Sequence, residues 1–390
     1  MALNQMYIPK AAHIAKLFLK YPAYMNHLVT YKIRSYQRYC WALKNSDKDN
    51  HVPPPLVYKL YLNQACDLRC NMCFLWGENG VYTAGKRELP RELDWNVVQK
   101  IFSESGKHHP SFILSGGEPL LYSHFKDLAG LLKKHRSCAY ICTNGGHLDK
   151  HLDAIENNPY LIFYVSLDGT KEVNDLLRGE GVHDKVVSNI KKLKSLRPAP
   201  YVGVQFTLQP ENVSVLYDTC KEMVALGVDW ILINLRWHIN EEQANNYEQE
   251  LKEDFGVTPW SHKGYVAPYP VDTKEFIRQC EKVNNARWPI YISSCLRKPE
   301  DIDLFVNNDQ KNPYNNFCYK QWVRMDVLSN SQVTPCIPFP DLTFDSLANK
   351  SVEEIWNGEA YAKFRQYRRK KVFSVCSKCY CLYLYDKARV

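Results

Sequence analysis

From residue 56 onward the chain alternates between two periodicities. Short runs rich in Ile, Val, Leu, Phe and Tyr at 56–63, 111–115, 139–143, 161–166, 201–208 and 228–235 read as strands. Between them, 91–105, 124–136, 147–157, 183–197 and 214–226 carry apolar positions at helical spacing. Strands separated by helices predict βα units and a parallel sheet, and six such units predict an α/β partial barrel. In parallel barrels the chemistry gathers at the C-terminal strand ends. A polar, acidic stretch at 241–254 reads as a loop or lid, and 272–286 as a further helix. Ahead of the barrel, residues 1–50 read as helical. There Ile14, Leu17, Phe18, Tyr21, Met25, Leu28 and Val29 are interleaved with Lys16, Lys20, Lys32, Arg34 and Arg38. Such a segment either packs its apolar stripe on the body or lies on an anionic membrane surface. Pro53-Pro54-Pro55 punctuates the chain before the first strand. These shifts divide the chain into a basic helical segment (1–52), a barrel (53–240), a linker or lid with a helix (241–305) and a cysteine-rich C-terminal unit (306–390).

Composition narrows the class. With 390 residues, 45% hydrophobic and 24% charged, the chain can bury a sizeable core. No run of 18 apolar residues occurs, and the N terminus lacks a signal-peptide core. Fourteen clustered cysteines in such a chain predict metal or redox ligands in a reducing cytoplasm rather than disulfides. The net charge of +8 is uneven: residues 1–50 carry +6 and 361–390 carry +8, which leaves −6 for the body between them. Basic ends on an acidic body do not make a nucleic-acid groove. They suit solvated tails or a contact with an anionic surface.

Cys66, Cys70 and Cys73 fall within eight residues, directly after the first strand. Three thiolates on one short loop can hold three irons of a 4Fe-4S cubane and leave the fourth iron open to a ligand. Structural zinc would want four closed ligands, usually with a paired CxxC. Further along lie Ser115-Gly116-Gly117-Glu118-Pro119, Thr143-Asn144-Gly145, and Ser166-Leu167-Asp168-Gly169 with Arg178 downstream. Each follows a predicted strand end. A second cysteine region contains Cys318, Cys336, Cys376, Cys379 and Cys381, with Ser351-Val352-Glu353-Glu354-Ile355-Trp356-Asn357 inside it.

In this order the motifs resemble those of the radical SAM enzymes that carry a C-terminal SPASM or twitch extension, over roughly residues 56–385. The resemblance implies a (β/α)6 TIM-type partial barrel. It implies that Cys66, Cys70 and Cys73 hold the cluster that binds S-adenosylmethionine, and that reductive cleavage there yields a 5′-deoxyadenosyl radical. Gly116, Gly117, Glu118, Pro119, Asn144, Ser166, Asp168 and Arg178 would then contact the cofactor, Glu118 accepting from its ammonium and Arg178 pairing with its carboxylate. Met72 stands where the family usually has an aromatic residue, so adenine packing differs in detail. Five C-terminal cysteines cannot supply the eight ligands of two auxiliary clusters. The expectation is therefore one auxiliary 4Fe-4S cluster on Cys318, Cys336, Cys376 and Cys379, with Cys381 spare and four-thiolate zinc as the competitor.

Cys142, two residues before Asn144 on the same strand face, is a candidate hydrogen-atom donor to a product radical. Asn234, Arg236 and His238 alternate at the end of the sixth strand, and as one face they would meet a polar or anionic substrate. The expected partners are an electron donor such as flavodoxin or ferredoxin and a peptide or small polar metabolite such as a sugar. A lipid-linked substrate at a membrane and a non-catalytic iron–sulfur or zinc scaffold are the alternatives.

Overall fold

The computed structural model describes residues 11–77, 80–84, 92–296, 298–307 and 317–379. Its centre is a single sheet. The six expected strands are β1 (Val57–Tyr61), β2 (Ser111–Ser115), β3 (Ala139–Thr143), β4 (Leu161–Ser166), β5 (Tyr201–Leu208) and β6 (Trp230–Leu235). Three more extend it: β7 (Tyr291–Ser294), β8 (Arg324–Val327) and β9 (Val333–Thr334). The spatial order is β7-β6-β5-β4-β3-β2-β1-β8-β9, and only the β8–β9 pair is antiparallel. This is a partial parallel α/β barrel with helices on its outside. The strands read from sequence as Val-, Ile- and Leu-rich runs because helices cover their outer face while side chains fill the inner one. Leu60, Phe112, Leu114, Ile141, Phe163, Val204 and Ile231 anchor the main core.

β8 was not expected in the barrel. It comes from the cysteine-rich C-terminal region and pairs with β1, Val57 opposite Arg324 through Leu60 opposite Val327. The C-terminal unit is thereby hydrogen-bonded to the strand that delivers the Cys66–Cys73 loop.

Residues 241–254, expected to be a loop or lid, form most of a helix, Glu241–Phe255. Its start is fixed by a capping box in which Asn240 and Gln243 satisfy each other's backbone N–H. Charge along the stretch hid a narrow apolar stripe. Ala244, Tyr247 and Leu251 are buried in a second core, with Trp237, Phe339, Phe364 and Phe373 from the barrel edge and C-terminal unit. The helix is a structural wall.

The N-terminal helices Ala11–Lys20 and Pro22–Lys44 break at Tyr21, where Pro22 opens the second helix. They close the N-terminal end of the barrel. Tyr21, Tyr24 and Met25 pack with Ile162, Tyr201 and Tyr140, and Tyr21 donates to Asp229 at 2.8 Å. Asp229 also holds Lys194 at 2.6 Å. Burying each of these aromatic side chains stabilises the fold by about 1.5–3 kcal/mol. Of the apolar stripe, Tyr21, Met25, Leu17 and Leu28 thus pack on the body, while Ile14, Phe18 and Val29 are exposed. Among the described residues no helix is long and apolar enough to cross a membrane.

Candidate active site and cluster ligands

The loop after β1 carries Cys66, Cys70 and Cys73 as half-buried, unbridged thiols at the C-terminal end of the barrel. Donors are aimed at two of the sulfurs. The Trp76 N–H points at Cys73 Sγ at 3.4 Å, and Arg178 Nη1 lies 3.8 Å from Cys70 Sγ. Burial pushes the Cys66 thiol up to about 12 and raises Cys70, with Arg178 opposing the latter. Loading a metal cluster therefore has to expel protons from these thiols. Two buried polar atoms at the root of the loop, Asn63 Oδ1 and Gln64 Nε2, have no partner. Three clustered sulfurs with donors aimed at them and unused polar groups beside them fit a three-thiolate cluster and a polar ligand on its open iron.

The Gly116-Gly117-Glu118-Pro119 turn clamps this loop. Gly117 N–H donates to Asn63 O at 2.9 Å and Glu118 N–H to Ala65 O at 2.6 Å. A Cβ on Gly117 would lie 2.2 Å from Ala65 O, so only glycine allows this approach. The glycines bring β2 against the cysteine loop itself. The Glu118 side chain points inward and is buried. It accepts from Leu120 N–H, Thr143 Oγ1 and Asn144 N–H at 3.0, 2.6 and 2.7 Å. Burial outweighs these three donors and lifts its pKa to about 7. Its carboxylate braces β2 to β3, and Oε2 accepts only the one bond from Asn144 N–H, which leaves it acceptor capacity. Pro119 is buried in the same turn.

Asn144 is likewise committed. Its amide donates to Asp67 Oδ1 at 3.0 Å and its oxygen accepts from Gly146 N–H at 2.7 Å. Asp67, inside the cysteine loop, also meets His147 Nε2 at 2.9 Å. Against its partial burial, Asn144 and His147 hold the Asp67 carboxyl below the usual range. Asp168 is fully buried, accepts from Thr207 N–H at 2.6 Å and pairs with Arg178 at 2.5 Å. Against the cost of burial, Asp168 and the Cys70 sulfur hold the Arg178 guanidinium above its ordinary value. Arg178 therefore links β4 to the cysteine loop. The side chain of Ser166, half-buried at the end of β4, has no hydrogen-bond partner among the described residues, and that of Gln205, opposite it on β5, is in the same condition. Sequence reasoning passed over Asp67, His147 and Gln205. The first two lack motif spacing, and Gln205 shows only as a polar interruption in an apolar strand.

Cys142 sits on β3 with Tyr140 on its inward side; burial raises its thiol while Lys59 opposes the shift. On β6, Asn234 accepts from Cys295 Sγ at 3.2 Å. Arg236, just past the strand, is half-buried with no ion pair among the described residues, and burial lowers its pKa. His238 stays next to Arg236, its Nδ1 3.3 Å from Arg236 O, and Tyr269 neighbours both residues. The strand ends at Leu235, and His238 is buried against Tyr269 and Phe305 with ring centroids 4.5 and 5.4 Å away.

The second cysteine set converges. Cys318, Cys336, Cys376 and Cys379, remote in sequence, line one cavity between β1, the Glu241–Phe255 helix and the C-terminal unit. Arg368 Nη2 lies 3.5 Å from Cys376 Sγ. Among the described residues no three His, Cys, Asp or Glu side chains converge closely enough to hold a single metal ion. Four sulfurs around one cavity supply the ligand set of one cubane. Cys381 lies outside the described residues.

Residues 60–223 match the model of the radical SAM superfamily, and residues 318–380 match SPASM, an iron–sulfur cluster-binding domain. The chain is thus a radical SAM enzyme, dependent on S-adenosylmethionine and an iron–sulfur cluster. More particularly it is one whose C-terminal SPASM region carries an auxiliary iron–sulfur centre. Over 344 residues it is 24% identical to the tungsten-containing aldehyde ferredoxin oxidoreductase cofactor-modifying protein of Pyrococcus furiosus, covering 82% of this chain and 86% of that protein. It is 30% identical to the mycofactocin maturase MftC of Mycolicibacterium smegmatis, over 36% of this chain and 35% of that one. Among solved structures, SuiB of Streptococcus suis bound to S-adenosylmethionine shares the fold, with a TM-score of 0.61 at 15% identity over 84% of this chain and 72% of that one.

Proposed function

We propose that this chain is a maturase-type radical SAM enzyme that abstracts a hydrogen atom from a polar, anionic substrate held at the barrel mouth. Cys66, Cys70 and Cys73 hold the cluster; with S-adenosylmethionine bound, that group supplies a 5′-deoxyadenosyl radical. Arg178 and the Trp76 N–H stabilise the thiolates, and the Gly116–Gly117 turn fixes the loop against β2. Ser166 and Gln205 are the side chains left free to meet the cofactor's polar groups. Arg236 meets the substrate's anionic group. Cys142, inside the barrel, returns a hydrogen atom to a product radical where the outcome is epimerisation.

The observation that carries the reading is the three-thiol loop, clamped by Gly117 and faced by Arg178, at the C-terminal end of a partial barrel. The half-buried, unpaired Arg236 at the same end supports an anionic substrate, because a desolvated cation gains most from a charged partner. A peptide with acidic side chains or a small carboxylated or phosphorylated metabolite meets that requirement. The Pyrococcus and Mycolicibacterium relatives are named for cofactor modification and maturation, and SuiB was solved with its precursor peptide SuiA, which supports both classes. The test is anaerobic reconstitution and dithionite reduction with candidate substrates deuterated at carbon. Deuterium in 5′-deoxyadenosine identifies a substrate, and Arg236→Met should raise its KM about tenfold or more. An unchanged KM would exclude Arg236 from the site.

The N-terminal helices favour an added contact. Ile14, Phe18, Leu19, Val29, Ile33, Tyr36 and Leu43 are exposed there, while Leu176 is the only other large exposed hydrophobic among the described residues. Residues 1–46 contain no acidic residue. Exposed apolar and basic groups on one helical segment match an anionic lipid surface. Because the segment packs at the N-terminal strand ends, such a contact leaves the cofactor end facing away from the bilayer. That orientation weighs against a lipid substrate.

A further inference from the structure

The wall of the four-cysteine cavity is one-sided in charge. Lys59, Lys320, Arg324 and Arg368 line it, and no aspartate or glutamate does. Lys320 and Arg324 share a single carboxylate behind the wall, Asp326, at 2.7 Å each. Arg368 has no such partner. It is 2% exposed, its Nε and Nη1 have no oxygen or nitrogen partner, and the guanidinium faces two ligand sulfurs, Cys376 Sγ at 3.5 Å from Nη2 and Cys318 beside it. Its other close neighbour is the face of Phe373, 5.4 Å away. A buried guanidinium without a counter-ion is costly, so an anion has to fill the cavity beside it. A cubane with four thiolates is such an anion, and it becomes more negative on reduction.

Resting on the assignment of Cys318, Cys336, Cys376 and Cys379 as ligands, we propose that Arg368 sets the reduction potential of the auxiliary cluster. Its positive charge and N–H groups at the ligand sulfurs stabilise the reduced, more negative state and so raise the potential. Arg368 is a positioning and tuning residue, remote from the reacting carbon. The cysteine loop of the barrel end has Arg178 beside it, but that charge is already balanced by Asp168. The two clusters therefore separate in potential, and the auxiliary one accepts an electron first.

The test uses the full chain with Cys66, Cys70 and Cys73 changed to Ala, so that only the auxiliary cluster gives a signal, titrated anaerobically with dithionite and followed by EPR. Arg368→Gln should lower the midpoint by at least a tenfold change in the reduction equilibrium, 59 mV for one electron. Arg368→Lys, which keeps the charge, should shift it by clearly less. A glutamine variant that retains its iron with an unchanged midpoint would overturn the proposal, and so would a lysine variant that falls by the full tenfold. Should the glutamine variant fail to take up iron, the lysine variant decides on the same criterion. Failure of the ligand assignment itself shows separately, as no iron in the triple-alanine parent.

Discussion

Ser166 and Gln205 matter because most polar side chains of the motifs around them are already engaged. Glu118, Asn144, Asp168 and Arg178 are engaged with one another, with Thr143, Asp67 and Cys70 and with the backbone, while these two half-buried side chains are unpaired among the described residues. Replacing Ser166 by Ala should weaken S-adenosylmethionine binding about fivefold, the effect of one hydrogen bond of about 1 kcal/mol. Calorimetric titration of the reconstituted protein checks this, and an unchanged Kd would remove Ser166 from the site. Cys142→Ala should leave 5′-deoxyadenosine formation intact and abolish deuterium uptake from solvent into the product; full retention of that uptake would discard the thiol as donor. At this scale the residues were legible and their roles were not. A motif locates Glu118 and Asn144 at a strand end, but only tertiary partners such as Asp67 reveal that their side chains face inward. His238 was legible as a neighbour of Arg236, but its packing on Tyr269 and Phe305 was not, because those rings come from segments remote in sequence.

At the scale of elements, β8 carries the attachment between barrel and C-terminal unit. Its Asp326 is buried and bonded to Lys320 and Arg324. Against its desolvation, Arg324, Lys320 and Lys59 lower its carboxyl from 3.8 to about 2. A depressed folded-state pKa means stability that is present above 3.8 and lost as pH falls toward 2, amounting to roughly 2 kcal/mol. Asp326→Asn leaves two buried cations without their charge partner and should cost about 3–5 kcal/mol, read from the urea midpoint at neutral pH. A loss below 1 kcal/mol would mean that the pair is not buried as described. In the N-terminal segment, serine at Val29, Ile33, Tyr36 and Leu43 should abolish co-sedimentation with phosphatidylglycerol vesicles while leaving the fold unchanged. Equal sedimentation of variant and parent would remove the membrane contact. The six principal strands were legible because each is a short apolar run covered by helices. β8 and β9 were not: Arg324-Met-Asp-Val is too polar and too short to announce a buried strand, and Asp326 is satisfied by Arg324 together with Lys320 and Ile337 N–H from outside the strand. The Glu241–Phe255 helix was masked by its acidic outer face, although its Asn240–Gln243 cap could have marked its start.

For the whole molecule, two cysteine sets lie at opposite edges of one structural join. The first is on the loop leaving β1, and the second is in a cavity whose wall includes Lys59 of that same strand. Strand pairing between β1 and β8 holds them in fixed relation, which suits a fold built to position two clusters for one reaction. The central claim is that the three-thiol loop carries a cluster with one iron open to S-adenosylmethionine. The most direct measurement is the EPR spectrum of the reduced, reconstituted chain with and without S-adenosylmethionine, paired with quantitation of 5′-deoxyadenosine and iron. The expected result is a shifted signal and nucleoside formation in the parent chain with about eight irons. The variant lacking Cys66, Cys70 and Cys73 should keep about four irons, show no shift and form no nucleoside. A fully loaded parent whose spectrum ignores the cofactor and that yields no nucleoside would contradict the account.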